Sequence, residues 1–238
     1  MRRITRLPYA ANVPSPLPLF PLNAVLVPGL VLPLHIFEPR YCELVEDLLA
    51  NPDEEAREFG IVAVRVGRDI DRDGILALHP VGTAAILRQV ERLDDGRFDI
   101  IATGSRRFRI HDIDTSAPLM VGDVEFLEDE TDPVDVMLAA QVAQRFAAYR
   151  LALSGQVADE ELPDDPTEEL PDDPIVLSYL VTAAMVLPAV ERQELLAAGT
   201  TTERLTIARG LLRRETGLIS ALGALPAIDL FGAIPSAN

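Results

Sequence analysis

Few residues in this chain are equipped for chemistry, and their spacing rules out most of the familiar reactions. All 21 basic residues are arginine, and the sequence contains no lysine. A phosphate-cradling P-loop needs a lysine to reach the β/γ-phosphates, and a Ser–Lys dyad or a Schiff base needs one as base or nucleophile. Asp69-x-Asp71-x-Asp73-Gly74 has the opening of a calcium loop, but Pro80 stands at the twelfth position, where the bidentate glutamate belongs. The run therefore reads as a solvated loop. His35, His79 and His111 lie far apart without zinc-ligand spacing, and Cys42 has no second thiol to pair with. A reactive cysteine needs a nearby cation to lower its pKa; Cys42 lies beside Leu44 and Val45 in a helical pattern and reads as a buried or idle thiol. None of the seven serines occupies a Gly-x-Ser-x-Gly elbow. Ser105, following Gly104, is assigned to a backbone bend. The expectation is no catalytic residue, no cofactor and no metal.

Two groups of residues suit binding instead. Glu38, Arg40 and Tyr41 open a helix, where Glu38 favours the dipole and Arg40 can reach a carboxylate bidentately. They read either as pins holding that helix down or as the rim of a peptide groove. The second group is the apolar loop from Ala24 to Leu30, where Pro28-Gly29 forces a turn and turns lie at the surface. Any of Val25, Leu26, Val27 and Leu30 not taken into the core would form an exposed apolar patch, which a binder of unfolded segments needs.

The elements that must position these groups follow from pattern. At 238 residues with 48% hydrophobic content the chain can bury one large core or two modest ones. Tryptophan is absent, so Leu, Val, Ile and Ala must fill them. The formal charge of −17 is uneven: residues 1–120 carry 14 arginines against 17 acids, and residues 121–238 carry 7 against 21. Most of the excess lies in Asp123 to Asp135 and Asp159 to Asp173, which read as linkers. Such a balance repels polyphosphate unless a basic patch offsets it, and the best patch is the short Arg106-Arg107-Phe108-Arg109. No nucleic acid is expected as partner. The apolar stretch Leu17 to Phe37 is broken by Pro18, Pro21, Pro28, Pro33, Asn23 and His35, so it is read as β structure and not as a membrane span. A single cysteine fits a cytoplasmic setting.

Leu17–Leu22 reads as a proline-tolerant edge strand, Val25–Val27 as a strand before the turn, and Leu30–Phe37 as the next. Glu38-Pro39 opens a helix with Leu44, Val45, Leu48 and Leu49 on one face. Strands follow over Phe59–Val66, Ile75–Leu78, Val81–Leu93, Arg97–Ile113 and Leu119–Leu127, with a hairpin turn at Asp94-Asp95-Gly96 and a bulge at Gly104-Ser105. Helical spacing covers Val134–Leu153, and then residues 174–187, 189–198 and 201–216, the last capped by Thr200 to Thr202. Between them Leu162-Pro-Asp-Asp-Pro166 and Leu170-Pro-Asp-Asp-Pro174 form a small acidic repeat. The expected organisation is an extension over 1–15, a β-rich domain over 16–130, a helical subdomain over 131–216 with an acidic Pro-rich linker at 154–173, and an apolar tail over 217–238.

These segments resemble the Lon amino-terminal (substrate-binding) domain family. The resemblance is carried by Leu17-Pro-Leu-Phe-Pro-Leu-Asn-Ala-Val-Leu-Val-Pro-Gly29, by Leu32-Pro-Leu-His-Ile-Phe-Glu-Pro-Arg-Tyr41 and by Gly104-Ser-Arg-Arg-Phe-Arg-Ile110. Leu187-Pro188, Glu191-Arg-Gln-Glu-Leu-Leu196 and Thr202-Glu-Arg-Leu205 extend it to about residues 16–216. It implies an α+β fold: a PUA-like six-stranded β domain with an inserted helix, followed by a helical bundle. It implies a stand-alone form without the ATPase and Ser–Lys protease modules, which the missing lysines independently disfavour. The function expected is that of a non-enzymatic adaptor or holdase whose partners are unfolded or flexible polypeptides or one specific protein. A homodimer is left open. The expected peptide contacts are Phe20, Leu30, Phe37, Arg40 and Tyr41. The rival readings are an RNA-binding PUA-like protein, which would need a clustered basic surface, and an enzyme with a site assembled from scattered residues.

Overall fold

A computed structural model describes residues 14–65, 77–129, 136–154, 167 and 170–222. Six strands form one sheet: β1 (Ser15–Leu22), β2 (Val31–Ile36), β3 (Glu58–Ala63), β4 (Val81–Arg92), β5 (Phe98–Asp114) and β6 (Val121–Leu127). The order is β2-β5-β4-β3-β1-β6, and an added β5–β6 pairing closes five of the strands into a ring. Strand β2 stays outside that ring, paired only to the first half of β5, from Val31 opposite Thr103 to Ile36 opposite Phe98. Helix α1 (Pro39–Ala50) plugs one side of the barrel through Tyr41, Leu44 and Val45. Its first turn holds Pro39 at N1, a position whose N–H has no helical acceptor. Helices α2 (Val136–Ser154), α3 (Pro174–Ala184), α4 (Ala189–Ala197) and α5 (Thr201–Leu222) make a bundle around Val142, Phe146, Leu195 and Leu212. The fold is α+β.

Strand β1 is not an edge, and its prolines show how it avoids being one. Its first half pairs antiparallel with β6, Ser15 to Pro18 against Val124 to Val121, and its second half parallel with β3 from Leu19. Leu19 donates its N–H to the Met120 carbonyl, so odd residues face β6 and even residues face β3. Pro16 and Pro18 face β3 before that ladder starts, and Pro21 faces β6 after its ladder has ended. Each missing N–H falls where no acceptor is offered, so an interior strand tolerates three prolines.

Other expectations are corrected in detail. Val25–Val27 is loop, not strand, yet Val25, Leu26 and Val27 are buried, so this loop forms core and not an exposed patch. Of the Ile75–Leu78 strand, the described residues keep a single bridge, Val64 to Leu78. Helix α5 runs through Gly217 to Leu222, past the expected start of the tail at 217. The bulge in β5 falls where expected: the register with β4 jumps between Thr83–Arg107 and Ala85–Gly104. The hairpin turn is also as read, with Gly96 at a φ of 83° that side-chain-bearing residues rarely adopt. The calcium-like run at Asp69–Gly74, most of the extension over 1–15, most of the acidic linker and the end of the tail lie outside the described residues.

Candidate functional site

The barrel and the bundle meet along a seam, and the loop from Val25 to Leu30 lies beneath it. Val25, Val27, Ala63 and Val81 from the barrel side pack against Tyr179 and Leu196 from the bundle. Gly104 lets β5 approach this loop: a Cβ there would stand 2.5 Å from the Val27 carbonyl oxygen. Thr83, fully buried, fastens the loop by donating its hydroxyl to the Leu26 carbonyl at 2.7 Å.

A charged hub closes the inner end of the seam. Asp129, just past β6, accepts from three side chains: Arg107 of β5 at 2.8 Å, Arg204 of α5 at 2.9 Å and the Tyr179 hydroxyl of α3 at 2.6 Å. Both arginines are buried, at 2% and 0% exposure. Each also reaches the end of α4. Arg107 donates to the Leu196 and Ala198 carbonyls at 3.0 and 2.6 Å, and Arg204 to that of Leu195 at 3.2 Å. The last carbonyls of a helix have no helical donor, and here two guanidiniums from other elements supply them. Burial pushes the Asp129 carboxyl up, but Tyr179, Arg107 and Arg204 together outweigh it and hold it below the usual carboxylate range.

Outward from this hub the seam opens into a groove of about 1310 Å³. Leu17, Leu30, Phe126, Ile175, Val176 and Leu180 give it apolar walls, and Arg106, Arg109, Glu58, Glu125 and Glu128 give it charged rims. Val176 is 50% exposed and Leu180 37%. The rim charges are largely paired: Arg106 holds Glu58 at 3.0 Å and lies 3.5 Å over the Phe126 ring, and His111 holds Glu125 at 3.0 Å.

The expected contact residues separate. Leu30 is half-buried and lines the groove. Phe20 and Tyr41 are 2% exposed and face one another in the barrel core with centroids 4.1 Å apart, so neither can anchor a partner. Burial pushes the Tyr41 hydroxyl up to about 12, against the pull of Arg40. Arg40 pairs with Glu38 at 2.7 Å and lies 4.6 Å over the Tyr41 ring, the pinning arrangement. Phe37 is exposed at the far end of β2, stacked beside His35 and roughly 20 Å of strand from Leu30.

The remaining candidates are accounted for structurally. Arg107 is internal and Arg106 is engaged by Glu58, so the Arg106–Arg109 run presents no clustered basic surface. Burial raises the Cys42 thiol above its ordinary value, with the Glu46 carboxylate adding to it, which disfavours a thiolate. The Ser105 hydroxyl lies 3.0 Å from Glu58 and 3.1 Å from the Ala84 carbonyl, holding the bulge. Among the described residues no group of His, Cys, Asp and Glu is placed to hold a metal ion, and no helix is long and apolar enough to cross a membrane. The hub itself escaped the sequence reading, which placed Asp129 in an acidic linker. A signal was present: Arg204 precedes Leu205 on the face that carries Ala208 and Leu212, and an arginine on a buried face requires a carboxylate.

Comparison with known proteins gives this architecture a context. The family described as the ATP-dependent protease La (LON) substrate-binding domain matches residues 16–214. The Lon protease of Anaeromyxobacter dehalogenans is 27% identical over 213 residues, covering 87% of this chain and 24% of that protein. Lon protease 2 of Sorangium cellulosum is 33% identical over 123 residues, covering 50% of this chain and 15% of that protein. The chain thus spans a quarter or less of these relatives' length. Among solved structures, the Lon N-terminal domain protein from Xanthomonas campestris superposes with a TM-score of 0.57 at 24% identity, covering 89% of this chain and 99% of its own. The N-terminal domain of Mycobacterium avium complex Lon protease gives 0.61 at 18% identity, covering 85% and 98%. Both share the fold.

Proposed function

Because this chain belongs to the Lon substrate-binding domain family, we propose that it is a polypeptide-binding protein that captures unfolded or flexible segments in the groove between barrel and bundle. It acts as an adaptor or holdase in the cytoplasm and performs no chemistry on its client. The observation that carries this reading is the groove, an open channel of about 1310 Å³ with apolar walls and charged rims at the junction of two units. Its size exceeds the few hundred to about 1,000 Å³ that suits a small molecule. Half-exposed Val176 and Leu180 stand ready in its wall, as a site for apolar side chains requires. The lack of lysine removes the P-loop and the Ser–Lys dyad, so neither ATP hydrolysis nor peptide cleavage is assigned to this chain. Leu30, Phe126, Val176 and Leu180 are the proposed contacts; Phe37 and Arg40 lie on a different surface.

Fluorescence anisotropy tests this with a labelled, reduced and carboxymethylated protein as client, the folded form of the same protein and single-stranded RNA as controls. The unfolded client binds and the controls do not. Leu180→Asp, a change at a part-exposed position, weakens binding about tenfold or more by placing a charge against the apolar wall. Phe37→Ser leaves it unchanged. Equal binding of folded and unfolded client, or equal affinity in Leu180→Asp, defeats the reading. Salt-sensitive RNA binding would replace it with the nucleic-acid alternative.

A further inference from the structure

Among the described residues the sheet has two open edges, and they are treated differently. Strand β2 is open along its outer side, but Pro33 blocks it. Gly104 donates to the Leu30 carbonyl, so the even residues of β2 turn toward β5, and Val31, Pro33 and His35 turn outward. A proline in the middle of an exposed edge removes the donor an incoming strand would need. The second free edge lies inside the groove and has no such block. Strand β1 pairs with β6 only as far as Ser15 opposite Val124. Beyond that point β6 continues through Glu125, Phe126 and Leu127, held on one side by Arg109, Phe108 and Arg107 of β5.

Alternation fixes which main-chain groups are left over. The Leu19–Met120 bond sets the even residues of β6 toward β1 and the odd residues toward β5. The β5 side agrees: Ile110 donates to Pro80, across the β4 interface, so the odd residues of β5 meet those of β6. Phe126 therefore presents its N–H and C=O to the side that β1 has vacated, and Glu128 follows in the same direction. Among the described residues neither main chain is hydrogen-bonded on that side. Both residues line the groove, as do Ser15 and Leu17 at the end of β1.

We propose that the groove recognises its client through the main chain, as a short antiparallel strand added to the free end of β6 in line with β1. The proposal rests on the capture reading above and names its substrate class: an extended segment free of proline over the paired residues. Main-chain pairing explains how one groove accepts unrelated sequences, since every peptide carries the same donors and acceptors. Side chains on one face of the added strand meet Leu30 and Phe126, and the wall of α3 presents Val176 and Leu180. A segment with apolar residues at alternating positions fits best. A helical or folded segment has already spent its main-chain groups and is refused.

The test uses the full chain and a capped twelve-residue peptide alternating valine with serine. Two analogues are N-methylated, one on every valine nitrogen and the other on every serine nitrogen. In an added strand only one of these sets faces β6. One analogue therefore loses binding, by about tenfold or more for the several bonds removed, and the other binds within about twofold of the parent. Amide exchange followed by NMR slows at Phe126 on peptide addition and stays unchanged at Leu127, whose N–H already faces β5. If the parent peptide binds and both analogues bind alike, or Phe126 is not protected, strand addition is overturned while capture stands. If the parent does not bind, both readings fall. Tighter binding after removal of residues 1–13 would assign the edge to the chain's own N-terminal segment, and Phe126 protection that rises with protein concentration alone would assign it to a second copy. Either result overturns the proposal.

Discussion

In the barrel, Phe20 and Tyr41 are buried against each other and against Leu34, Ile36 and Phe98. At the seam, Arg107 and Arg204 are buried as deeply, but what surrounds them is a carboxylate, a phenol and the carbonyl end of a helix. The barrel core needs only shape and apolar area, and a neighbour of similar size would serve. The seam needs stoichiometry: two buried cations, one anion, and acceptors for most of the remaining N–H groups, Arg107 Nε being buried without one. An apolar core loses stability in proportion to the area removed. A charged hub fails as a unit, because removing one partner leaves the others desolvated and unpaired.

The largest effect falls at Asp129. Asp129→Leu leaves both buried guanidiniums without their anion and costs about 3–5 kcal/mol in urea unfolding. Replacing Arg107, Asp129 and Arg204 together by Met, Leu and Met recovers most of that loss, since an apolar trio of similar volume needs no partners. A triple variant no more stable than Asp129→Leu would mean that the seam is held by something other than charge balance.

Next in size is Gly104→Ala. The new Cβ, 2.5 Å from the Val27 carbonyl oxygen, must push the Val25–Leu30 loop away from β5, at a cost of about 1–3 kcal/mol. Because Leu30 lines the groove, client binding weakens in the same variant, which unfolding and anisotropy together will show. Stability lost without any change in binding would separate the loop from the site.

The smallest effect is pH dependence, and it distinguishes the two regions. Burial, helped by the Arg65 cation, lowers the His79 imidazole below its ordinary value. The unfolded chain takes up that proton first, so stability starts to fall as pH drops below about 6.5 and stops falling once folded His79 also titrates. Asp129 is held low, so its contribution is fully present above the ordinary aspartate range and is lost as pH falls through the lowered value. Urea midpoints across this range show a shallow early decline, absent in His79→Gln, and a later acidic one, reduced in Asp129→Leu. A single decline untouched by either substitution would assign the acid sensitivity elsewhere.

What the sequence made legible was local. The helix starts could be read because their signals lie within four residues: Asp173 accepts from Ile175 at 2.8 Å with Pro174 behind it, and Thr200 accepts from Glu203 at 3.1 Å while Glu203 accepts from Gly199 at 2.7 Å. The hairpin at Gly96 and the bulge at Gly104 were readable for the same reason. The place of β1 was not, because its prolines signal an edge unless the switch of partner at Leu19 is known. Phe20 and Tyr41 looked like anchors because an aromatic residue in a core and one at an interface have the same sequence signature. The hub joins Asp129 to residues 22, 50 and 75 positions away; no period of two or 3.6 extends that far.

The closure of the ring also sets a timetable. Ser15 finds its partner only when Val124 exists, so β1, made before the other five strands of this sheet, is among the last to be sealed. The β4–β5 hairpin can form as it emerges; the ring must wait for β6 and bear the entropy of closing a long loop. The wall of α3 and the guanidinium of Arg204 come later still. During synthesis Leu19, fully covered in the finished molecule, has no cover of its own. The molecule thus begins as an open chain whose own β1 waits for its partner.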